Sequence, residues 1–271
     1  MKENNVVSLL LNKMLTIDDI MTEDIIYYES DKQALEICRK LNISYLPLKN
    51  GIKCYDKKTG KIREISPEQI VLPYIRLFDD SLKNKFEKYE VIFVKYYGRI
   101  MGVVHYSDYN RDAAMIYYYG LILELERNLR VLLTSNDLRN EDIIDYYLST
   151  KKRQENFMAK HGMIKLEKSK LMELFDTIQP FQNFLLSDLI GYINHLVKQG
   201  KVRFDKKIDD DILKFRNKVM HAKNPISKEA NDTKGIPIYN MQDYLRTCDI
   251  VNKIQDIIET VQMKVEENKT L

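Results

Sequence analysis

The sequence predicts an α+β protein in two parts, an α/β region over residues 1–112 and an all-helical region over 113–271. Strand-like apolar runs closed by glycine-containing turns fall before residue 112, whereas from Ala113 onward the apolar patterns are helical. The chain is also long enough, at 271 residues with 44% hydrophobic and 31% charged side chains, to build two cores rather than remain disordered.

In the first region, residues 18–28 begin with a turn or short helix and end in an apolar run. Helical spacing follows at Ala34, Leu35, Cys38 and Leu41, then a strand over 44–48 and a hairpin turn over 55–62, where Gly60 admits positive φ. The order then recurs, with a helix over 80–89, a strand over 90–94, a turn at Tyr97-Gly98 and a strand over 100–104. The region reads as two copies of a helix, strand, turn, strand unit.

Three fragments are distinctive: Ile20-Met-Thr at the entry, Tyr45-Leu-Pro-Leu in the first copy, and Gly98-Arg-Ile-Met-Gly-Val-Val-His-Tyr-Ser-Asp108 in the second. Together they resemble a tandem pair of CBS domains, small α/β regulatory modules. The resemblance implies an adenine-nucleotide regulator, an adenosine-containing ligand, between the repeats, with Asp108 on the ribose hydroxyls. His105 stands where Thr or Ser is usual, and the first copy offers Ser66 without a matching Asp, so at most one of two sites is expected to be intact. The competing expectation is an interaction module without a ligand, in which His105 and Asp108 simply bond to each other.

The second region opens on an amphipathic helix over 116–133, with Tyr118, Ile122, Leu125, Leu129 and Leu132 on one side and Glu124, Arg127, Asn128 and Arg130 elsewhere. Helices are expected over 141–149, 166–177 and 181–198, with the basic stretch Lys151-Lys-Arg153 joining the first two. The last helix, over 241–267, has Ile250, Ile254, Ile257, Val261 and Val265 in register. Between them a polar loop over 224–237 contains Gly235 and is expected to be mobile.

The stretch from Ile208 to Pro225 carries the chemistry-bearing residues. On a helix, Ile208, Ile212, Phe215 and Val219 form a narrow core stripe, while Arg216, Asn217 and His221 lie off it. Asn217 and His221 are four apart and share a face, and Leu213 and Met220 border Asn217 with apolar surface that wants a partner. That pattern points to a site at an interface between subunits.

An all-helical region opening on a Tyr-rich helix, with Arg216-Asn-Lys-Val-Met-His221 near the end of a later one, resembles a HEPN domain over 113–271. The resemblance implies a metal-independent RNA endonuclease, with Arg216, Asn217 and His221 as the catalytic set and two sets meeting in a homodimer. Metal-free cleavage needs a proton taken from the 2′-OH, one given to the 5′-oxygen and charge stabilised at phosphorus. Histidine and arginine suit those tasks, and two chains supply both an acid and a base. Lys214, Lys218 and Lys223 are expected to contact RNA phosphates. A toxin or antiviral effector gated by the nucleotide- or partner-sensing first region is the implied role. The alternative is a non-catalytic, nucleotide-responsive module that binds RNA or protein.

Simpler readings stand beside these. Arg and His at a helix end complement its dipole without any catalytic reason. His161 and His195 are expected to be structural or solvated, Glu124 and Glu126 to pair with Arg127 or Arg130, and Tyr146 and Tyr147 to pack in the core rather than stack a base. Asp209, Asp210 and Asp211 point in different directions on a helix, and no metal or other cofactor is expected for catalysis. The three cysteines form no C-x-x-C pair, a net charge of +3 provides no global field for nucleic acid, and no apolar run approaches membrane length. Those features lead us to expect a cytoplasmic protein with no membrane association.

Overall fold

The computed structural model describes residues 15–41, 43–48, 52–163, 167–176, 179–202, 204, 208–220, 238 and 240–269. The architecture is α+β, with two small sheets early in the chain and a mostly helical remainder. Two compact units share the described residues: those up to Gly120 with Lys218–Val251, and Leu121–Asn217 with those from Asn252 onward.

In the first unit, helix α1 (Asp31–Lys40) is started by Ser30, whose side chain accepts from the Gln33 amide. Strands β1 (Tyr45–Pro47), β2 (Lys53–Asp56) and β3 (Lys61–Glu64) form an antiparallel sheet in sequence order. The β2–β3 hairpin closes through Gly60 at φ 65°, as its turn requires. Tyr28, Ala34, Cys38, Leu46 and Tyr55 are buried together between α1 and this sheet.

The second sheet has the order β4 (Ile70–Val71), β5 (Val91–Tyr96), β6 (Arg99–His105). β4 and β5 are parallel, and α2 (Asp80–Lys88) lies in the connection that such a pair requires. β5 and β6 form a hairpin through Tyr97 and Gly98, both at positive φ. Cys54, Ile65, Phe93 and Ile100 form a buried cluster drawn from both sheets. The entry segment is held to β6 by reciprocal backbone bonds between Thr22 and Val103 of 2.9 and 3.1 Å. Met21 packs so closely over Gly102 that an added Cβ there would lie 2.5 Å from its sulfur.

Elsewhere in this unit Tyr109 is fully buried among Phe78, Phe86 and Tyr244. Its hydroxyl donates to the Leu77 carbonyl at 2.5 Å, which meets the polar demand of a buried tyrosine. Asn110 clamps Ile238 through both its amide groups, donating to the carbonyl at 2.6 Å and accepting from the N–H at 3.1 Å.

Helix α3 (Asp112–Thr134) supplies residues to both units. The five apolar residues expected on its inner side are all buried. So are Glu124 and Asn128, expected elsewhere: the Arg127 guanidinium and the Asn128 amide both bind the Glu124 carboxylate, so that no buried charge stands alone.

The second unit continues with α4 (Asn140–Leu148), α5 (Lys151–Lys160), α6 (Lys168–Phe175), α7 (Leu186–Lys198) and α8 (Asp210–Met220) up to Asn217, the last three residues of α8 being counted with the first unit. Residues 151–153, read as a connecting stretch, instead form the first turn of α5, because the Thr150 hydroxyl caps the Arg153 amide. The helix expected from 181 begins only at Leu186. Phe181 is left-handed at φ 63°, and its N–H donates to Asn140 Oδ1 at 2.7 Å, while the Asn140 amide donates to the Phe175 carbonyl at 2.6 Å. Asn194 grips Ile208 in the same two-sided way, at 2.8 and 3.1 Å, immediately before α8. The last helix, α9 (Met241–Lys269), buries Ile254, Ile257, Val261 and Val265. Ile250 is only half-buried, with neighbouring Val251 taking the buried place instead. Among the described residues no helix is long and apolar enough to cross a membrane.

Candidate functional site

Helix α8 is built as its pattern requires. Ile208, which precedes it, and Ile212, Phe215 and Val219 are buried, and Leu213 and Met220 are half-buried. Two of the acids at its start are engaged: Asp211 binds Lys214 at 3.2 Å, and Asp209 forms an ion pair with Lys253 of α9. They hold lysines and also complement the positive end of the helix.

Arg216 is half-buried and Asn217 exposed. One guanidinium nitrogen, Nη1, donates to Asn217 Oδ1 at 3.2 Å. Its Nε is buried and has no hydrogen-bond partner among the described residues. A buried guanidinium N–H with no acceptor carries a desolvation cost that an incoming oxyanion would relieve. Asn217 accepts that bond through its carbonyl oxygen, which leaves its amide N–H groups outside the contact. Lys214 and Lys218 are exposed on the same helix. His221 and Lys223 lie outside the described residues.

In the first unit His105 and Asp108 come together at the end of β6. The Asp108 carboxylate accepts the His105 backbone N–H at 2.7 Å and the Arg111 guanidinium at 3.1 Å, closing a capping box on the 3-10 turn Tyr106–Asn110. Arg111 also donates to the Met21 carbonyl at 2.7 Å and to the Thr22 hydroxyl at 2.5 Å. Two of the three fragments singled out in the sequence, Ile20-Met-Thr22 and Gly98–Asp108, are thus joined through one arginine. His105 Nδ1 lies 2.7 Å from the Ser107 hydroxyl.

Burial pushes the Asp108 carboxyl up, against the His105 amide and Arg111, and pushes the His105 imidazole down, against Asp108 and Glu90. A ribose approaching Asp108 would compete with bonds already made. Ser66 caps its own 3-10 turn, accepting from the Glu68 amide at 3.3 Å. Its described bonds reach neither His105 nor Asp108.

Two arrangements in the second unit exceed what the spacing revealed. His161 Nε2 lies 2.8 Å from the wholly buried Asp188. His195 lies against Tyr146, ring centroids 4.7 Å apart, with the Arg153 guanidinium 4.3 Å from the centre of the same tyrosine ring. Both bring together residues from different helices, so no local motif marks them. Tyr147 packs in the core as expected, buried against Phe157, and Tyr146 is half-buried.

Compared with protein-family models, with curated proteins and with solved structures, the chain has no match.

Proposed function

We propose that the protein is a metal-independent RNA endonuclease of the HEPN type, with Arg216, Asn217 and His221 as its catalytic set. The observation that carries this reading is the Arg216 guanidinium, steered on one side by Asn217 at 3.2 Å and holding a buried Nε without an acceptor among the described residues. The half-buried guanidinium suits an oxygen of the scissile phosphate, whose charge grows as the 2′-oxygen attacks. His221 would move the proton, and a second copy of the chain would bring the second histidine, so the working unit is a homodimer. Lys214, Lys218 and Lys223 would hold flanking phosphates. No cofactor is required in this scheme.

In the same reading the first region gates the nuclease, as suits a cytoplasmic toxin or antiviral effector. The engaged Asp108 favours a gate that answers to a partner, or to an adenosine-containing ligand that displaces Arg111.

The test is incubation of the full chain with structured RNA in EDTA. Wild type is expected to leave 2′,3′-cyclic phosphate ends, and Arg216→Ala to cleave at least about a hundredfold more slowly, since it loses a charged transition-state donor. Equal rates for wild type, Arg216→Ala and His221→Ala would overturn the assignment.

A further inference from the structure

We infer that the second unit carries a separate phosphodiester-binding face, formed by Arg153 of α5, His195 and Lys198 of α7, and Lys201, and mounted on Tyr146 of α4. This inference rests on RNA being the ligand, and it places the strand on residues outside the catalytic helix.

Tyr146 is the platform. Its hydroxyl donates to the Gly191 carbonyl at 3.2 Å, which fixes the ring against α7. The Arg153 guanidinium lies 4.3 Å from the ring centre, near enough for cation–π attraction, and its Nη1 is held by the Ser149 hydroxyl at 2.8 Å. Its remaining N–H groups have no acceptor among the described residues. The His195 ring meets the same tyrosine at 4.7 Å, tilted by 34°. Three helices therefore converge to position one guanidinium and one imidazole with little freedom left to lose.

The charges that act on His195 are all positive, while Asp142 and Asp145 act on the neighbouring Tyr192. Burial first, and then the nearby cations Arg153, Lys201 and Lys198, hold the His195 imidazole below its ordinary range. Among the described residues none of the three cations has a carboxylate partner. The helix dipole accounts for a lysine in the last turn of α7. It does not account for an arginine from another helix facing the same histidine. Gathered like charge is unfavourable alone and becomes favourable when a polyanion lies on it. A polyanionic strand can meet several such cations at once, whereas a single small anion engages only part of them.

The experiment is fluorescence anisotropy of a labelled twelve-nucleotide oligouridylate in EDTA, across a salt series, with the full chain. The triple variant Arg153→Gln, Lys198→Gln, Lys201→Gln is expected to bind at least about tenfold more weakly at low salt. Its log–log salt slope should also fall by about 2, at roughly 0.7 per lost contact to a single strand. Lys170→Gln, an exposed lysine paired with Glu167, is the charge control and should bind as wild type does.

Unchanged affinity and slope in the triple variant, failure of wild type to bind, or uridine monophosphate binding as tightly as the oligonucleotide would each overturn the inference. Cleavage separates the two readings. Wild type that binds through this face without cutting leaves the face standing, whatever becomes of the nuclease. A triple variant that binds and cuts as wild type does removes the face and leaves the nuclease.

Discussion

His161 Nε2 lies 2.8 Å from Asp188 Oδ2, and Asp188 is wholly buried at the start of α7. The same carboxylate accepts the Leu185 backbone N–H at 3.2 Å and the Lys160 ammonium at 3.3 Å. One side chain therefore caps α7 and ties it to the end of α5. His161 is packed on its other surfaces by Phe157 and Phe175.

Removing that carboxylate takes the acceptor from three donors, of which the Leu185 N–H and the His161 ring are enclosed while the Lys160 ammonium still reaches water. Asp188→Ala is expected to destabilise the protein by about 1–3 kcal/mol, through the lost helix cap and the enclosed donors left without an acceptor. Urea unfolding of the second unit checks this by its midpoint. An unshifted midpoint would show that the chain relaxes around the site and that the cap is dispensable.

Gly102 is required by Met21 rather than by its own backbone angles. A Cβ at Gly102 would lie 2.5 Å from the Met21 sulfur, 2.9 Å from its Cγ and 3.1 Å from the Thr22 carbonyl oxygen. Gly102→Ala is expected to cost about 1–3 kcal/mol through forced overpacking. Because the methionine end is flexible, combining it with Met21→Ala should cost less than the sum of the two single changes. Strict additivity in thermal unfolding would show that the Thr22 backbone, not the methionine, is the obstacle.

The residues that could be read from spacing were those whose neighbours are close in sequence. The hairpin at Gly60, the Tyr97-Gly98 turn and the stripe of Ile212, Phe215 and Val219 follow from local backbone chemistry and helical period, and the fold contains them. The start of α7 was placed too early because residues 181–185 are apolar enough to extend its pattern. A distant asparagine, Asn140, turns the chain there, and no window along the sequence contains it. The same limit hid the His161–Asp188 contact and the Tyr146 platform, each assembled across helices. At α8 the apolar stripe revealed the helix and set Arg216 off its core face, but not the direct Arg216–Asn217 bond.

All three cysteines, Cys38, Cys54 and Cys248, are buried as free thiols. Burial raises each of them, and Cys248, beside Tyr244, is pushed up to about 11. Since the thiolate is the reactive form, native protein at pH 8 should react with a disulfide-exchange reagent only as fast as it opens. In denaturant all three should react at once. Rapid labelling of even one cysteine in the native protein would contradict the packing described for it.

His195 gives a pH dependence whose sign follows from its surroundings. Burial and the cations Arg153, Lys201 and Lys198 disfavour its proton in the folded protein, whereas in the unfolded chain it titrates near 6.5. As pH falls below that value the unfolded chain takes up a proton that the folded protein resists, so stability is lost until His195 itself titrates. Above that window the histidine costs nothing. His105, also lowered by burial, contributes in the same direction, so the comparison must isolate one of them. His195→Gln should flatten, without abolishing, the fall in urea midpoint from about pH 6.5 downward, and leave the midpoint at pH 8 nearly unchanged. A variant with the same acid slope as wild type would show that burial and the three cations do not hold this histidine down.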